Sequence, residues 1–307
     1  MKFAPCLAPL LTLAALVASP AQAASVSDIE TVFVGDNDFI ESMLEAPDGS
    51  IYFSSAFKHQ IGRVGPNGRE LIAELPQAST LVMARLGDHF VVTGQDKLPD
   101  FSHMQDPAAW SNLGNRLTMI SYQGKILGTK PSPAEWFFNG VTQLNRNVLL
   151  IAGQNQGTIF SYDARTGEYG TWLKHELIMG KNNTNGINGI QYRAPWVYYT
   201  NAGQDGTFRV RVGANGKPAG VPEKVFDKAG DDFAVAPDGT VYLPNGDKIY
   251  RIRANGQSDV FLDGVGVGAY ALVTRNGQWL YWSAHGRSQM MPKAPGESKI
   301  FRIRLKH

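Results

Sequence analysis

Cysteine is almost absent from this sequence, which has a single thiol, Cys6, among 307 residues. One cysteine can form neither an intramolecular disulfide nor a multi-thiolate metal site. Long apolar runs are also missing after the N-terminal segment, so no later stretch reaches the roughly 18 residues that a membrane-spanning helix needs. Basic runs are missing too, and the formal net charge is only +2. Because nucleic-acid binding requires clustered Lys and Arg, the sequence disfavours a nucleic-acid partner.

The N-terminal segment has the features of a secretory signal. Met1-Lys2 opens a short basic region, residues 7–17 are almost wholly apolar, and Ala21-Gln22-Ala23 matches a signal-peptidase site. We therefore expect residues 1–23 to be a cleaved signal peptide and the mature protein to be periplasmic or secreted. A retained N-terminal anchor is the alternative.

One strand-like phrase occurs six times in residues 24–307. Each copy alternates apolar with polar residues, and most run into a Gly-containing turn, as expected for a half-buried strand followed by a hairpin. The copies begin at Ile61, Leu117, Ile159, Phe208, Ile249 and Ile300. A repeat of roughly 40–50 residues in an all-β chain is typical of a propeller with one blade per repeat. The sequence therefore predicts one all-β domain, a six-bladed β-propeller with four-stranded blades around a central channel.

A second phrase lies upstream of the first and contains a hairpin turn. Examples are Ala46-Pro-Asp-Gly and Ala236-Pro-Asp-Gly, in which Asp-Gly favours a tight turn because both residues accept positive φ. We expect the strand before this turn to line the channel and the strand after it to pack between blades. The segment from Glu30 to Gly35 is expected to supply the outer strand of the last blade, which would close the ring without an open sheet edge.

Two long intervals interrupt the repeat. They run from Lys97 to Asn115 in blade two and from His285 to Glu297 in blade six. Loops of this length in a compact domain are often lids or binding rims. The alternative is that they are solvated excursions whose apolar residues cover a blade edge.

Four of the six blades place an oxygen-bearing side chain at an equivalent position, the entrance of the inner strand. These residues are Glu41, Asn139, Asn188 and Asp231. The first three lie twenty residues before the repeated strand phrase, and Asp231 precedes its hairpin glycine by eight residues, as Glu41 does. The corresponding positions in blades two and six are approximately Ser79 and Ala269. Equivalent positions in a closed ring converge on its axis.

Two carboxylates and two amides directed at one point indicate a cation. Desolvation and mutual repulsion disfavour two ionised carboxylates unless a positive charge lies between them. Oxygen ligands alone suit Ca²⁺, whereas Zn²⁺ prefers His or Cys and Mg²⁺ keeps more water. The sequence therefore predicts a calcium site, which another divalent cation could also fill. The alternative is that these residues cap the starts of strands by bonding backbone groups.

These same stretches resemble a known family. Glu41-Ser-Met-Leu-Glu-Ala-Pro-Asp-Gly is similar to the first-blade motif of the senescence marker protein/gluconolactonase family, which includes regucalcin, and of the related paraoxonases. Phe138-Asn139-Gly, Asn188-Gly-Ile and Asp231-Asp-Phe-Ala-Val resemble motifs of the third, fourth and fifth blades. The resemblance implies a calcium-dependent propeller that hydrolyses lactones or esters. It also implies that the four equivalent residues are the calcium ligands.

The chain departs from the family pattern at several positions. Phe137 stands where gluconolactonases have an arginine that grips a sugar lactone. Ser42 and Gly140 stand where paraoxonases have the carboxylates of a second calcium site, and Gln77 and Gln95 lie near the places of their histidine dyad. A substrate less polar than a sugar acid is therefore expected.

We weigh three functions from these residues. In the first, a metal-dependent hydrolase, Asp231 activates a water molecule that attacks a lactone or ester carbonyl polarised by the cation. Candidate substrate-binding residues are Trp136, Phe137, Asn183, Asn185 and His285. The second function is a propeller that binds a small molecule or a protein without turnover. The third is a metal-dependent isomerase or cyclase.

Overall fold

The computed structural model describes residues 28–36, 38–65, 68–97, 113–133, 137–181, 184–285 and 297–306. The strands from the N-terminus to the third sheet are β1 (Glu30–Asp36), β2 (Ile40–Glu45), β3 (Ile51–Ser55), β4 (Gln60–Gly65), β5 (Gly68–Glu74), β6 (Ser79–Leu86), β7 (His89–Gln95), β8 (Asn115–Ser121), β9 (Ile126–Pro131), β10 (Phe138–Asn145), β11 (Val148–Gly153), β12 (Thr158–Asp163) and β13 (Glu168–Lys174). The later strands are β14 (Ile187–Arg193), β15 (Trp196–Asn201), β16 (Gly206–Arg211), β17 (Glu223–Phe226), β18 (Ala234–Val235), β19 (Val241–Asn245), β20 (Lys248–Ile252), β21 (Ser258–Asp263), β22 (Val267–Val273), β23 (Trp279–His285) and β24 (Glu297–Arg304). A short 3-10 helix, Ala202–Gln204, follows β15.

The strands form six four-stranded antiparallel sheets arranged in a ring. Five sheets consist of four consecutive strands each, from β2–β5 in blade one to β18–β21 in blade five. The sixth combines β22, β23 and β24 with β1. The predicted six-bladed β-propeller is therefore confirmed. Along the chain, the strands of each blade begin with the inner one, which is β2 in blade one and β22 in blade six. The repeated phrase forms the third strand of each blade.

The predicted ring closure is also confirmed. Strand β1 pairs antiparallel with β24, from Glu30 opposite Arg302 to Asp36 opposite Glu297. The side chain of Phe33 in β1 is buried and lies 4.6 Å from the ring of Phe53 in blade one. The first strand of the chain is thus fixed both to the last blade and to the first.

Phe33→Ala should test this closure. Removing a buried aromatic ring costs about 3–5 kcal/mol, because its contacts are lost and a cavity remains. We expect a loss of this size in the free energy of unfolding measured with denaturant. Val34→Ala is the matched control, since Val34 is the next residue in β1 and is 54% exposed. Equal effects of the two substitutions would show that β1 does not anchor the ring.

The Asp-Gly turns join the inner strand to the second strand as predicted. Gly49 and Gly239 have φ values of +87° and +85°, a conformation that glycine adopts without strain. The second strands of the blades bury large aromatic residues against neighbouring blades, including Phe53, Tyr199 and Trp282.

Both long intervals leave the ring on one face. Strand β7 ends at Gln95 opposite Ser79, and β23 ends at His285 opposite Val267. These points lie where the inner strands β6 and β22 begin. Residues 98–112 and 286–296 fall outside the described residues, so the role of these two intervals stays a prediction. In the described part of the chain, no helix combines the length and apolar character required to span a membrane.

Candidate functional site

The inner strands carry an extra residue close to their starts. In β10, Asn139 and Gly140 lie between the pairs Phe138–Gly153 and Val141–Ile151, so two residues face one. The register shifts in the same way near the starts of β2, β6, β14 and β22. A bulge of this kind turns a side chain out of the regular alternation.

The bulges define which residues are equivalent around the ring. The first bulged residues are Glu41, Leu81, Asn139, Asn188 and Ala269. Asp231 joins them in blade five, because it precedes Gly239 by as many residues as Glu41 precedes Gly49. We refer to these six residues as the axial ring. The sequence-based assignment of Ala269 agrees with this register, whereas that of Ser79 was wrong by two residues.

Hydroxyl groups on the second strands hold the bulges in place. The N–H groups of Val82, Gly189 and Tyr270 donate to Thr93 Oγ1, Thr200 Oγ1 and Ser283 Oγ over 3.1, 3.0 and 3.1 Å. These N–H groups belong to the second bulged residue, which the sheet ladder leaves without a partner. The axial ring therefore rests on a hydrogen-bonded backbone.

Blades four and five bring their axial-ring residues into contact, and blade three packs beside them. Asn188 Nδ2 donates to Asp231 Oδ1 over 2.6 Å, and the N–H of Gly189 donates to the carbonyl of Asp231 over 3.1 Å. On the other side of Asn188, Gly140 packs so tightly that a Cβ there would lie 2.6 Å from the carbonyl oxygen of Asn188.

The two axial-ring amides have their nitrogen atoms bound to protein acceptors. Asn139 Nδ2 donates to Gln154 Oε1 over 3.0 Å, and Asn188 Nδ2 donates to Asp231. The backbone carbonyl of Asn139 accepts from Thr93 Oγ1 over 3.0 Å. With both nitrogens committed, the amides keep their Oδ1 atoms to offer to a ligand, as a hard cation requires.

Three carboxyl groups lie near one another at this point, of which Asp232 is buried and Glu41 and Asp231 are half-buried. Burial and the charges of Asp231 and Asp232 raise the pKa of Glu41 well above its usual range. Burial raises the pKa of Asp231 to about 6, although the hydrogen bond from Asn188 acts in the opposite direction. Glu41 Oε2 is buried, and within the described residues it has no hydrogen-bond partner. This arrangement is costly without a positive charge.

Asp232 is a member of this cluster that the sequence analysis did not assign to the site. Its side chain is 5% exposed and accepts from the N–H of Phe233 over 2.7 Å. Burial and the charge of Asp231 raise its pKa well above the usual range. It packs against Gly189, where a Cβ would lie 2.7 Å from Asp232 Oδ1. Two consecutive aspartates before an apolar strand were the signal that could have identified it.

The predicted substrate-binding residues have different environments. Phe137 is buried at 2% exposure, and Asn185 is half-buried next to the start of β14. His285 ends β23 on the face of the axial ring, is 8% exposed and stacks on Phe39 with 4.7 Å between ring centroids. Trp136 and Asn183 lie outside the described residues. The role of all five in substrate binding stays a prediction.

Among the residues that the structure describes, no group of three or more His, Cys, Asp or Glu side chains is arranged to hold a metal ion. The predicted ligand set contains two carboxylates and depends on the amide oxygens of Asn139 and Asn188 for the rest. A cation would therefore have to be held by both kinds of oxygen together.

One groove lies on the opposite face from the axial ring. It has a volume of about 520 Å³ and is lined by hairpin residues of blades two and three, including Asp88, Asn145 and Arg146, with Tyr192 of blade four. Its Asp and Arg balance in charge, and it contains none of the axial-ring residues. The buried carboxyl groups, not this groove, mark the candidate site.

No protein-family model matches the sequence, and a search of curated proteins found no match. Solved structures do share the fold. A calcium-binding protein, regucalcin from Agrobacterium tumefaciens, is 13% identical with a TM-score of 0.60 over 89% of this chain and 92% of that one. A luciferin-regenerating enzyme is 12% identical with a TM-score of 0.63 over 90% and 94%. Virginiamycin B lyase from Staphylococcus aureus is 14% identical with a TM-score of 0.58 over 88% and 81%. At these identities the likeness shows the fold, and it is consistent with the resemblance found in the sequence motifs.

Proposed function

We propose that this propeller is a calcium-dependent hydrolase of a lactone or ester and that Glu41, Asn139, Asn188 and Asp231 hold the cation. The observation that carries the proposal is the buried Glu41 Oε2, which has no hydrogen-bond partner among the described residues and lies in a cluster of carboxyl groups with raised pKa values. A structural neighbour is described as a calcium-binding protein, which agrees with this choice of cation.

The donor set fits a hard divalent cation. Carboxylates of Glu41 and Asp231 would neutralise two positive charges, and the two amide oxygens would add uncharged ligands. When bound, the cation supplies charge that polarises a carbonyl and stabilises the negative charge developing on its oxygen. Another divalent cation that prefers oxygen ligands could replace calcium.

Asp231 is the proton acceptor in this proposal. Asn188 Nδ2 occupies its Oδ1, which leaves Oδ2 to take a proton from a water molecule. Without a cation, burial raises its pKa to about 6, and a bound cation lowers that pKa, so Asp231 is ionised at neutral pH in the loaded site. The ionised carboxylate is the form that a general base requires.

The substrate is proposed to be less polar than a sugar acid, because Phe137 stands where the gluconolactonases that this chain resembles have an arginine. Trp136, Asn183 and Asn185 remain candidate contacts to it. The proposal also places the protein in the periplasm or outside the cell, which rests only on the signal-like pattern of residues 1–23.

Hydrolysis of a panel of lactones and aryl and alkyl esters, before and after chelation, tests the proposal. We expect activity to disappear in excess chelator and to return when calcium is added back. Full activity in cation-free protein would contradict the mechanism. Cation binding without turnover on any member of the panel would favour a binding propeller instead.

Gln154 should control cation affinity through Asn139. Gln154→Leu removes the acceptor that fixes the Asn139 amide, and loss of such an orienting partner weakens metal binding by roughly tenfold or more. Gln154→Glu keeps the acceptor and adds negative charge, so affinity should not fall. Calcium titration by calorimetry measures both variants, with the exposed Gln257→Leu as control. Equal affinities of Gln154→Leu and wild type would show that this hydrogen bond does not orient a ligand.

A further inference from the structure

Two of the hydroxyl groups that hold the bulges also reach into the next blade. Thr93 Oγ1 of blade two lies 3.0 Å from the carbonyl oxygen of Asn139 in blade three, closer than the 3.3 Å to the carbonyl of Val82 in its own blade. Thr200 Oγ1 of blade four donates to the carbonyl of Asp231 in blade five over 3.3 Å. Since a hydroxyl can accept and donate at once, each of them joins a bulge of its own blade to an axial-ring residue of the following blade.

The two blades that receive these hydrogen bonds carry no hydroxyl at the same position. In blade three Ala152 of β11 faces the bulge of β10. In blade five Pro244 is one residue from the end of β19, the place that Thr200 has in β15. Neither side chain can bind a backbone group through oxygen. The hydroxyl of the preceding blade takes over that task for Asn139 and Asp231.

Thr200 lies at the junction between a predicted cation ligand and the proposed proton acceptor. It accepts from the N–H of Gly189, and that N–H also lies 3.1 Å from the carbonyl oxygen of Asp231. The neighbouring Asn188 Nδ2 donates to Asp231 Oδ1 over 2.6 Å. The backbone and the side chain of Asp231 are therefore both tied to blade four, and this orientation leaves Oδ2 for the proposed reaction.

We propose that Thr93 and Thr200 are positioning residues of the candidate site. Thr93 places Asn139 as a cation ligand, and Thr200 places Asp231 both as a ligand and as the proton acceptor. Both threonines are 0% exposed, so they act through the residues that they hold and not by contact with substrate. This inference rests on the proposed hydrolase function and extends its site to the second strands of blades two and four.

Thr93→Val and Thr200→Val test the proposal, because they remove the hydroxyl and keep a branched side chain. Calorimetric titration of the full chain should show calcium affinity lowered roughly tenfold or more in each, the usual effect of losing a group that orients a ligand. Thr93→Ser and Thr200→Ser keep the hydroxyl and should restore most of the wild-type affinity. At saturating calcium, Thr200→Val should also lower kcat roughly tenfold or more with KM unchanged, whereas Thr93→Val should keep wild-type kcat.

Thr80→Val is the matched control. Thr80 is also 0% exposed, and its hydroxyl donates to a backbone carbonyl of a neighbouring blade, that of Ser55, over 2.9 Å. Since Ser55 is not an axial-ring residue, this variant should lose thermal stability as the other Val variants do but keep wild-type calcium affinity. Thr93→Ala and Thr200→Ala repeat the test if the Val variants do not fold.

The outcomes separate this inference from the function on which it rests. Equal calcium affinities in wild type, Thr93→Val and Thr200→Val overturn the positioning role alone, as does a loss of affinity in Thr80→Val that is just as large. A wild type that binds no calcium refutes the proposed function and the positioning role together. Hydrolysis that survives chelation refutes the hydrolase mechanism, while the affinities still decide what the two threonines hold.

Discussion

Asp231→Asn should lower kcat for the best lactone or ester by roughly 10²–10⁴-fold, the contribution typical of a positioned general base. The substitution preserves the shape of the side chain and an oxygen for Asn188 Nδ2, so the site should stay assembled. What is lost is the proton acceptor and one negative charge facing the cation. Steady-state kinetics with saturating calcium measure the effect on kcat separately from that on KM.

Asp247→Asn is the control for this substitution, since Asp247 lies exposed in the hairpin between β19 and β20. It should retain wild-type kcat. The pH profile of the wild-type protein should also show activity rising with pH through the pKa of Asp231, at about 6 in the cation-free protein and lower with calcium bound. If Asp231→Asn kept wild-type kcat, the proton acceptor would have to be another group.

The cation-free protein should lose stability as the pH rises, in contrast to the usual behaviour of paired carboxylates. The pKa of Asp231 is raised in the folded state from 3.8 to about 6, so the folded chain holds more protons between these values. Stability is therefore greatest below the unfolded value and falls as the pH passes through the folded one. A shift of this size corresponds to about 3 kcal/mol, or a thermal midpoint lowered by on the order of 5–10 °C. Glu41 and Asp232 act in the same direction.

Asp231→Asn isolates this effect from the other titrating groups. In chelator, the variant and wild type should unfold at the same temperature at pH 4, while at pH 8 the variant should be the more stable. Calcium at 100 times the wild-type Kd should narrow this difference, because it adds about 2.7 kcal/mol to the wild type and no more than about 1.4 kcal/mol to a variant that binds calcium tenfold more weakly. Thermal unfolding at the two pH values, with and without calcium, gives all these numbers. A wild type as stable as the variant at pH 8 in chelator would show that burial does not penalise the ionised form of Asp231.

The blade count and the ring closure could be predicted from the sequence because both depend on short, local patterns. Each copy of the strand phrase ends near a turn that fixes its register. The N-terminal segment alternates apolar and polar residues as an outer strand does, and β1 takes that position in blade six. Phe33, for example, falls on the buried face of β1 as the alternation requires.

The axial ring was only partly predictable because its register depends on β-bulges. In blades one, three and four a constant spacing from the strand phrase led to Glu41, Asn139 and Asn188. In blade two the long interval after Lys97 lies between the inner strand and the strand phrase, so the constant spacing does not lead to the equivalent residue. Leu81 was therefore missed and Ser79 was chosen. The six blades thus share an equivalent backbone position, but only four of them place a side-chain oxygen there.

Asp232 was not assigned to the site for a different reason. The pair of aspartates before an apolar strand was visible in the sequence, but the sequence does not show which carboxyl groups are buried together. The structure shows this, because Asp232 is 5% exposed and packs against Gly189.

Calorimetric titration of chelator-stripped protein with calcium tests most directly whether the four oxygen-bearing residues share one cation. We expect one ion per chain, binding weakened by at least roughly tenfold in Glu41→Gln and in Asp231→Asn, and unchanged binding in Leu81→Ala, which alters an axial-ring residue without a ligand oxygen. Absence of binding, or equal affinity in Glu41→Gln and wild type, would contradict the account.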